Sequence, residues 1–486
     1  MAIGEDKALW LCIDQGGHSS RALVFDARGR TIARSSAPVH TQRRGLRVEH
    51  DPDQLIASVR EAIAGVADRL GTAVRRLRGV GVATQRSTFV CVRRSSGEPL
   101  SPVISWQDRR GEEQLPRDAV DAERIRSLTG LRVSPHYGVG KIRWCMSHLA
   151  PVRRALAEHD LLVAPLASFL LHSLSSGSSW RIDPTNASRT LLMDARSLEW
   201  SDELLARFEV PAEILPTMAP CRSAHGELAL DGFVVPITVL SGDQAAALFS
   251  MGEPRCGTCF VNIGTGAFLQ GVIGARMKLV PGLLTSIAWA EEAGRLYVLE
   301  GTVNGAASAV DEVMHRLGFA SPPAPSALRA ALGDMASAPL FLNGVSGLGS
   351  PDWIADFPSG FVGTGAPILE LAAVYESVVF LLMRNLARMR RSIDIEEIRV
   401  GGGLAQLDWM CQSLASLSGL AVRRQREAEA TARGMAYLLG GSGAAGRCFG
   451  VDAVVFPPRS DAVAGSRYER WTQAMEDAVA RVAGNG

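Results

Sequence analysis

Two aspartates, three glycine-rich turns and a small set of hydroxyl-binding side chains carry the chemistry legible in this chain. Asp14 lies in Asp14-Gln-Gly-Gly-His-Ser-Ser20, and Asp243 lies in Ser241-Gly-Asp-Gln-Ala-Ala-Ala-Leu-Phe249. An apolar run rich in β-branched residues, Phe233 to Leu240, precedes Asp243, and an Ala-rich run follows it. A strand is therefore expected to meet a helix at Ser241-Gly242, with the Asp243 carboxylate near the helix N-terminus, where the helix dipole favours it. Ligands of open α/β sheets bind in the crevice beyond the strand ends. A carboxylate there can take a proton from a substrate hydroxyl. An Asp at a helix start is also an ordinary cap, so Asp243 acquires meaning only beside the other features.

The glycine turns supply the first of these. Gly16-Gly17, Gly264-Thr265-Gly266 and Gly401-Gly402-Gly403 each follow a strand-like run. Glycine lets a backbone approach closely, so its N–H groups can cradle phosphate oxygens. One such turn is usually just a turn. Three of them, spread over both halves of the chain, argue for a nucleotide held in a cleft. Arg86, Trp106 and Asp243 form a plausible hydroxyl-binding set. An Arg donates to two oxygens, an indole covers the C–H face of a polyol, and an Asp accepts a hydroxyl proton. The competing reading makes Trp106 a core anchor and Arg86 a surface ion-pair partner.

These residues need elements to hold them. Ala8 to Ile13, Arg21 to Phe25 and Arg30 to Ser35 read as a three-stranded meander, with Asp26-Ala-Arg-Gly29 as its second turn. Asp51-Pro52 is a helix start, followed by Leu55, Ile56, Val59, Ile63, Val66 and Leu70 at helical spacing. Gly79 to Ala83 is a strand leading to Arg86, and Val103 to Ser105 a short one leading to Trp106. Ile142 to His148, Val152 to Glu158 and Leu198 to Phe208 read as helices. After Gly252 the opening pattern returns: Gly257 to Ile263, the Gly264-Thr265-Gly266 turn, then Ala267 to Ile273. The two hairpins, about 250 residues apart, predict two similarly built halves, divided near Ser250 to Pro254: residues 1–250 and 251–486. Leu369 to Met389, Thr431 to Leu439 and Tyr468 to Val482 read as helices of the second half, and Ile398 to Val400 as a strand. Beyond the first few residues and Ser321 to Ser326, no segment is expected to be disordered.

Composition narrows the function. The chain has 486 residues, 51 Lys+Arg against 50 Asp+Glu, and a formal net charge of +1. That balance gives no footing for nucleic acid or a membrane surface. The eight cysteines are scattered through apolar runs, as suits a reducing compartment. Cys256-Gly-Thr-Cys259 has C-x-x-C spacing, but no second pair or nearby His completes a metal or redox site. Leu161 to Leu174 is too short to span a bilayer, and the N-terminus has no signal-peptide pattern. A cytoplasmic protein is expected.

The motifs then align in order with one family. Asp14-Gln-Gly-Gly-His-Ser-Ser-Arg-Ala22, Val48-Glu-His-Asp-Pro52, Thr84-Gln-Arg86, Trp106-Gln-Asp-Arg-Arg110, Thr129-Gly-Leu131, Thr185-Asn-Ala-Ser-Arg-Thr190 and Gly242 to Phe249 occupy the first half. Gly264-Thr-Gly266, Gly282-Leu-Leu-Thr285, Ser346-Gly-Leu-Gly349, Gly402-Gly403 and Ala432 to Leu438 occupy the second. Together they resemble the FGGY carbohydrate kinases and, among these, the glycerol kinases. The resemblance implies an α/β protein of two ribonuclease-H-like domains, as in actin and hexokinase, flanking a catalytic cleft. It implies transfer of the γ-phosphoryl of ATP to a hydroxyl of a small polyol or sugar, with Mg²⁺ as cofactor and a homodimer or homotetramer as the assembly. By that match Asp243 is the general base, and Asp14 and Asp243 face the metal. Gly16, Gly17, His18, Ser19, Arg21, Gly264 and Thr265 face the phosphates. Gly402, Gly403 and Asp408 lie where adenosine binds, with Asp408 replacing an Asn. Arg86, Ser87, Trp106, His136, Asp243, Gln244 and Phe268 line the substrate pocket.

Three departures bear on substrate. Glycerol kinases carry Glu where this chain has Ser87, which removes a hydroxyl acceptor. His136 replaces a pocket Tyr, and Tyr137 stands beside it. Gly17-His18 replaces Thr-Thr in the first phosphate turn. The first two favour a related polyol or sugar, larger at one end; a ketopentose is an alternative, although no Gly-Gln-Met-His-Gly-type motif of xylulose or ribulose kinases stands in the region of Thr84 to Val90. A nucleotide-binding sensor with impaired catalysis is the alternative of a different class.

Overall fold

The computed structural model describes residues 8–175, 180–230, 232–426, 429–440 and 453–484. Residues 1–7, the start of the chain expected to be disordered, lie outside the described residues.

The first half is built on a six-stranded sheet. Leu9–Gln15, Ser19–Asp26 and Thr31–Pro38 form the expected antiparallel meander. Leu77–Thr84 adds in parallel to Leu9–Gln15, and Phe233–Gly242 adds in parallel to Leu77–Thr84. Arg222–Leu230 closes the far edge. The second half repeats this plan. Thr258–Ile263, Ala267–Gly274 and Gly294–Val303 are the meander, and Glu397–Gly401 and Ala421–Gln425 add in parallel beside Thr258–Ile263. Leu284–Glu291 and Ala453–Phe456 extend the two edges. Three antiparallel strands followed by two parallel ones, twice over, gives the two similarly built halves the hairpin echo predicted, in the ribonuclease-H-like arrangement the resemblance implies.

The helices cover these sheets through their apolar faces. Asp51 caps Pro52–Leu70 by accepting from the backbone N–H of Gln54, and Leu55, Val59, Ala62, Ile63 and Val66 are buried against the first sheet. Pro367–Arg390 and the C-terminal helix Ala462–Gly484 do the same in the second half, where Trp471 is fully buried and donates to the carbonyl of Phe341 at 2.9 Å. Burying such side chains stabilises the fold by about 1.5–3 kcal/mol each. Ala430–Gly440 joins the halves. Its Met435 and Tyr437 share one core cluster with Cys12, Ala83, Val239 and Ala246 of the first half and Phe260 of the second. Gly434, an unfavourable residue inside a helix, is required there, because a Cβ would run into the carbonyl of Ala246.

Several boundaries differ from expectation, among them the helices expected from Ile142 and Tyr468, which begin at Gly138 and Ala462. Glu199–Trp200 pairs with Met193–Asp194, so the expected helix from Leu198 begins only at Asp202, capped by Ser201. The apolar run from Leu161 divides into the strand Leu161–Pro165 and the helix Leu166–Leu174. The helix Pro325–Gly333 starts inside the stretch expected to be disordered. Among the described residues, no helix is long and apolar enough to cross a membrane.

Candidate active site

Strand register sets the site. Asp14 lies level with Ala83, and Ser241 with Ala83 on its other side. The three parallel strands therefore end together, at Gln15, Thr84 and Gly242. Asp14, Arg86 and Asp243 emerge along one edge. Gln85 ties two of these ends, donating its backbone N–H to the Gln15 carbonyl at 2.9 Å and its side-chain amide to Gln15 Oε1 at 3.2 Å. Thr185 fastens the third, accepting from the Gly242 N–H at 2.7 Å. Thr185 is itself held by the buried Asp183.

Asp243 is the first residue of a helix of only five residues, Asp243–Ala247. Its Oδ1 accepts from the Gln244 N–H at 2.7 Å and lies 3.9 Å from Arg86 Nε. Its side chain is 31% exposed, so one face stays open to the cleft. Burial pushes its pKa up, opposed first by Arg86. Asp14 is more enclosed. Burial pushes its carboxyl up to about 7; Arg21 opposes this, while Asp243 and Glu429 add to it. Arg21 Nη1 lies 3.5 Å from Asp14 and 2.9 Å from Glu429, just before the helix Ala430–Gly440 of the second half.

Arg86 is no surface partner. Its side chain is buried between Asp243 and Glu300, with Nη1 3.4 Å from Glu300 Oε1, and it donates to Gln244 Oε1. Arg189 donates to both Glu300 oxygens, at 2.6 and 2.7 Å, and to Ser286 Oγ at 2.8 Å. Glu300 stands on Gly294–Val303 of the second half. Burial would raise its pKa, but Arg189 first and Arg86 second hold it down at about 2. Motif reading gave Glu300 and Glu429 no role. A signal for Glu300 existed: a lone charge within the apolar strand Leu296 to Val303 must be paired when buried.

The residues expected to line the acceptor pocket in the first half lie on three loops. Ser87 follows Arg86 in the left-handed region, at φ 62°. Trp106 is 37% exposed, which removes it from the core, and its N–H donates to Thr88 Oγ1 at 3.0 Å. The His136 ring lies 6.2 Å from the Trp106 ring, with Nδ1 3.2 Å from the Trp106 carbonyl. Tyr137 is buried, with Arg189 Cζ 6.0 Å from its ring, and stands among the charges of Arg189, Glu300 and Arg86. Phe268 is half-buried in the second half, paired with Asn262 and Thr302.

The glycine turns sit at matching strand ends of the two sheets. The Gly16 N–H donates to the Ser19 carbonyl at 3.0 Å, and Ser19 Oγ accepts from Arg21 Nε at 3.1 Å. His18 is exposed, and a Cβ at Gly17 would meet only Gln85 Oε1, at 3.6 Å, so that turn has room for a side chain. In the second half, Asn262 lies level with Gly401, so Gly264-Thr265-Gly266 and Gly402-Gly403 leave neighbouring strands side by side. Thr265 is exposed, and its carbonyl accepts from the N–H groups of Ala306 and Ser308. A short 3₁₀ turn, Leu404–Gln406, separates Gly403 from the helix at Asp408. Asp408 is exposed, and its carboxylate lies 2.7 Å from Arg424.

With this geometry in view, the likenesses to known proteins are specific. Residues 9–250 match the N-terminal domain of the FGGY family of carbohydrate kinases, and residues 259–441 match its C-terminal domain. The glycerol kinase of Geobacter sp. (strain M21) is 35% identical, covering 88% of this chain and 89% of its own. That of Xanthomonas euvesicatoria pv. vesicatoria is 32% identical, covering 97% and 98%. Among solved structures, Plasmodium falciparum glycerol kinase with ADP superposes with a TM-score of 0.85 over 98% of both chains at 21% identity. Gluconate kinase from Lactobacillus acidophilus superposes with 0.86 at 18% identity, covering 99% of this chain and 100% of its own. The fold and site define a two-domain sugar-kinase scaffold. The chain belongs to the FGGY family and is an ATP-dependent carbohydrate kinase, similar to glycerol kinases.

Proposed function

We propose that this kinase phosphorylates a polyol or sugar longer than glycerol, with Asp243 as its general base. The observation that carries the base assignment is the common ending of three parallel strands, which brings Asp14, Arg86 and Asp243 to one edge. Arg86 and Trp106 hold the acceptor, Asp243 orients the reacting hydroxyl and takes its proton, and the Gly16 and Gly264 turns receive the phosphates. Phosphoryl transfer needs alignment and charge neutralisation more than covalent help. Asp243 suits the task because burial has raised its affinity for a proton without closing its open face. In this reading residues 1–250 carry the acceptor and the base, and residues 251–486 carry most of the nucleotide site.

Mg²⁺ fits the residues present. Among the described residues, no group of three or more His, Cys, Asp or Glu side chains is arranged to hold a metal. Mg²⁺ rarely uses an all-protein cage; it takes one or two carboxylates, waters and substrate phosphates. Asp14 and Asp243 offer two carboxylates, and their mutual repulsion favours a cation between them. When bound, the ion would neutralise charge on the transferring phosphoryl group.

Relatives named glycerol kinase speak for glycerol as acceptor. Ser87 and His136 speak for a longer substrate, since Ser87 supplies no carboxylate acceptor and takes less room than Glu. ADP release measured with glycerol, ribitol, xylitol, D-xylulose and D-gluconate tests this. A lower KM for a five-carbon acceptor than for glycerol is expected. Glycerol as the best acceptor would overturn the substrate reading, and nucleotide binding with no stimulated turnover would favour a sensor.

Gly402 gives an independent check on the nucleotide side. Its φ is +96°, and a Cβ would sit 2.5 Å from Asn262 Oδ1 and from the Ile263 carbonyl. Gly402→Ala should cost about 1–3 kcal/mol of stability and raise the KM for ATP while sparing that for the acceptor. Denaturant titration and steady-state kinetics read both; an unchanged ATP KM would remove this turn from the nucleotide site.

A further inference from the structure

One buried cation has no part in the chemistry above. Lys141, on the helix Gly138–His148, is fully buried. Its Nζ lies 3.1 Å from the Ser87 carbonyl, 3.0 Å from that of Ser105 and 3.1 Å from that of His136. Among the described residues, no carboxylate bonds it. The nearby Asp108 is taken up by Arg110 and by the Val48 N–H. Burial draws the ammonium down to about 7, opposed by the Asp108 charge.

The three carbonyls belong to the three loops of the acceptor pocket. Ser87 follows Arg86, Ser105 precedes Trp106, and His136 is itself a pocket residue. An ammonium has three donors and no acceptor, so all three of its N–H bonds are used on these loops. Composition sharpens the point. Lys7, Lys141 and Lys278 are the only lysines in a chain whose other basic side chains, apart from histidine, are arginine. A planar guanidinium fork does not present three donors to three converging carbonyls as a tetrahedral ammonium does.

We propose that Lys141 is a positioning residue that sets the acceptor pocket by locking the Ser87, Ser105 and His136 backbones to one point. The role rests on the acceptor site proposed above, and its test separates the two. Lys141→Met keeps the length and removes every donor; Lys141→Gln keeps two N–H donors. Steady-state kinetics use the acceptor that the wild-type enzyme turns over best among glycerol, ribitol, xylitol and D-xylulose. Hydrogen–deuterium exchange is followed over residues 84–92, 103–110 and 131–139. Lys141→Met should raise the acceptor KM by about tenfold to a hundredfold, as a pocket displaced by an ångström would, with the ATP KM unchanged. Lys141→Gln should recover part of the loss. Exchange should rise in the three segments together and not elsewhere. An unchanged acceptor KM, or equal rises in both KM values, overturns the proposal. So does exchange that rises throughout the chain or in none of the three segments. Should the wild type phosphorylate none of these acceptors, the proposed acceptor range fails while the exchange pattern still decides the role of Lys141.

Discussion

Asp243→Asn should lower kcat for the best acceptor by about 10²–10⁴-fold, the contribution of a positioned general base. The substitution keeps the shape of the side chain and replaces a proton acceptor with an amide. The backbone partner Gln244 and the neighbour Arg86 remain, so the turn should keep its fold. ATP binding should be little changed, because the phosphate turns are built from other residues and Asp14 remains to face the magnesium. The pH profile provides a second signature. A base works deprotonated, so activity falls as pH drops through its pKa, and burial has raised that of Asp243 above the ordinary carboxylate value. Asp14, pushed up to about 7 in the absence of a cation, would contribute a limb of its own. Magnesium held between the two carboxylates would favour the ionised form of both, so the acidic limb should move to lower pH as Mg²⁺ is raised, and the part belonging to Asp243 should be missing in the Asn variant. Full activity in Asp243→Asn would mean that another group takes the proton.

The second large effect is on stability. Glu300→Gln should cost about 3–5 kcal/mol, the range for removing one partner of a buried ion pair. Two guanidiniums, those of Arg86 and Arg189, share this one carboxylate, and each disfavours the other's charge. Without Glu300 both would be buried beside an amide. The wild-type protein also gains a pH dependence from this group. The Glu300 pKa is lowered from 4.5 to about 2 on folding. Its stabilisation is therefore fully present above about pH 4.5 and is lost as pH falls toward 2. Glu300→Gln should be less stable at neutral pH and should lack that acid-side loss. Urea titration at several pH values measures both. A neutral-pH midpoint equal to wild type would show that the ion cluster contributes little to the fold.

Much of the architecture was legible because it is local. Asp51-Pro52 announces its helix through a cap and a fixed φ. The apolar run ending at Gly242, followed by alanines, announces the turn that carries Asp243. The echo of the opening hairpin after Gly252 announces the second sheet. The parts that were not legible depend on partners far along the chain. Glu300 meets Arg189 across 111 residues, and Arg21 meets Glu429 across 408. Neither spacing has a local signature. Tyr137, expected to replace the lost pocket tyrosine only if its loop shifts, is buried against Arg189 and joins the Arg86 and Glu300 cluster through contacts that no local spacing announces. Lys141 was passed over because one lysine in an apolar helix gives no hint of three carbonyls arriving from separate loops. The helix expected from Leu198 starts late because Glu199 and Trp200 find strand partners in Met193 and Asp194, and such pairing overrides helical propensity.

The central claim is that Asp243 receives the proton of the alcohol being phosphorylated. The most direct measurement is a crystal structure of the wild-type protein with Mg²⁺, a non-hydrolysable ATP analogue and its best acceptor. One acceptor hydroxyl should lie within hydrogen-bond distance of an Asp243 carboxylate oxygen and point at the γ-phosphorus. An acceptor bound with no hydroxyl near Asp243, or a triphosphate on the far side of the Gly264 turn, would contradict it.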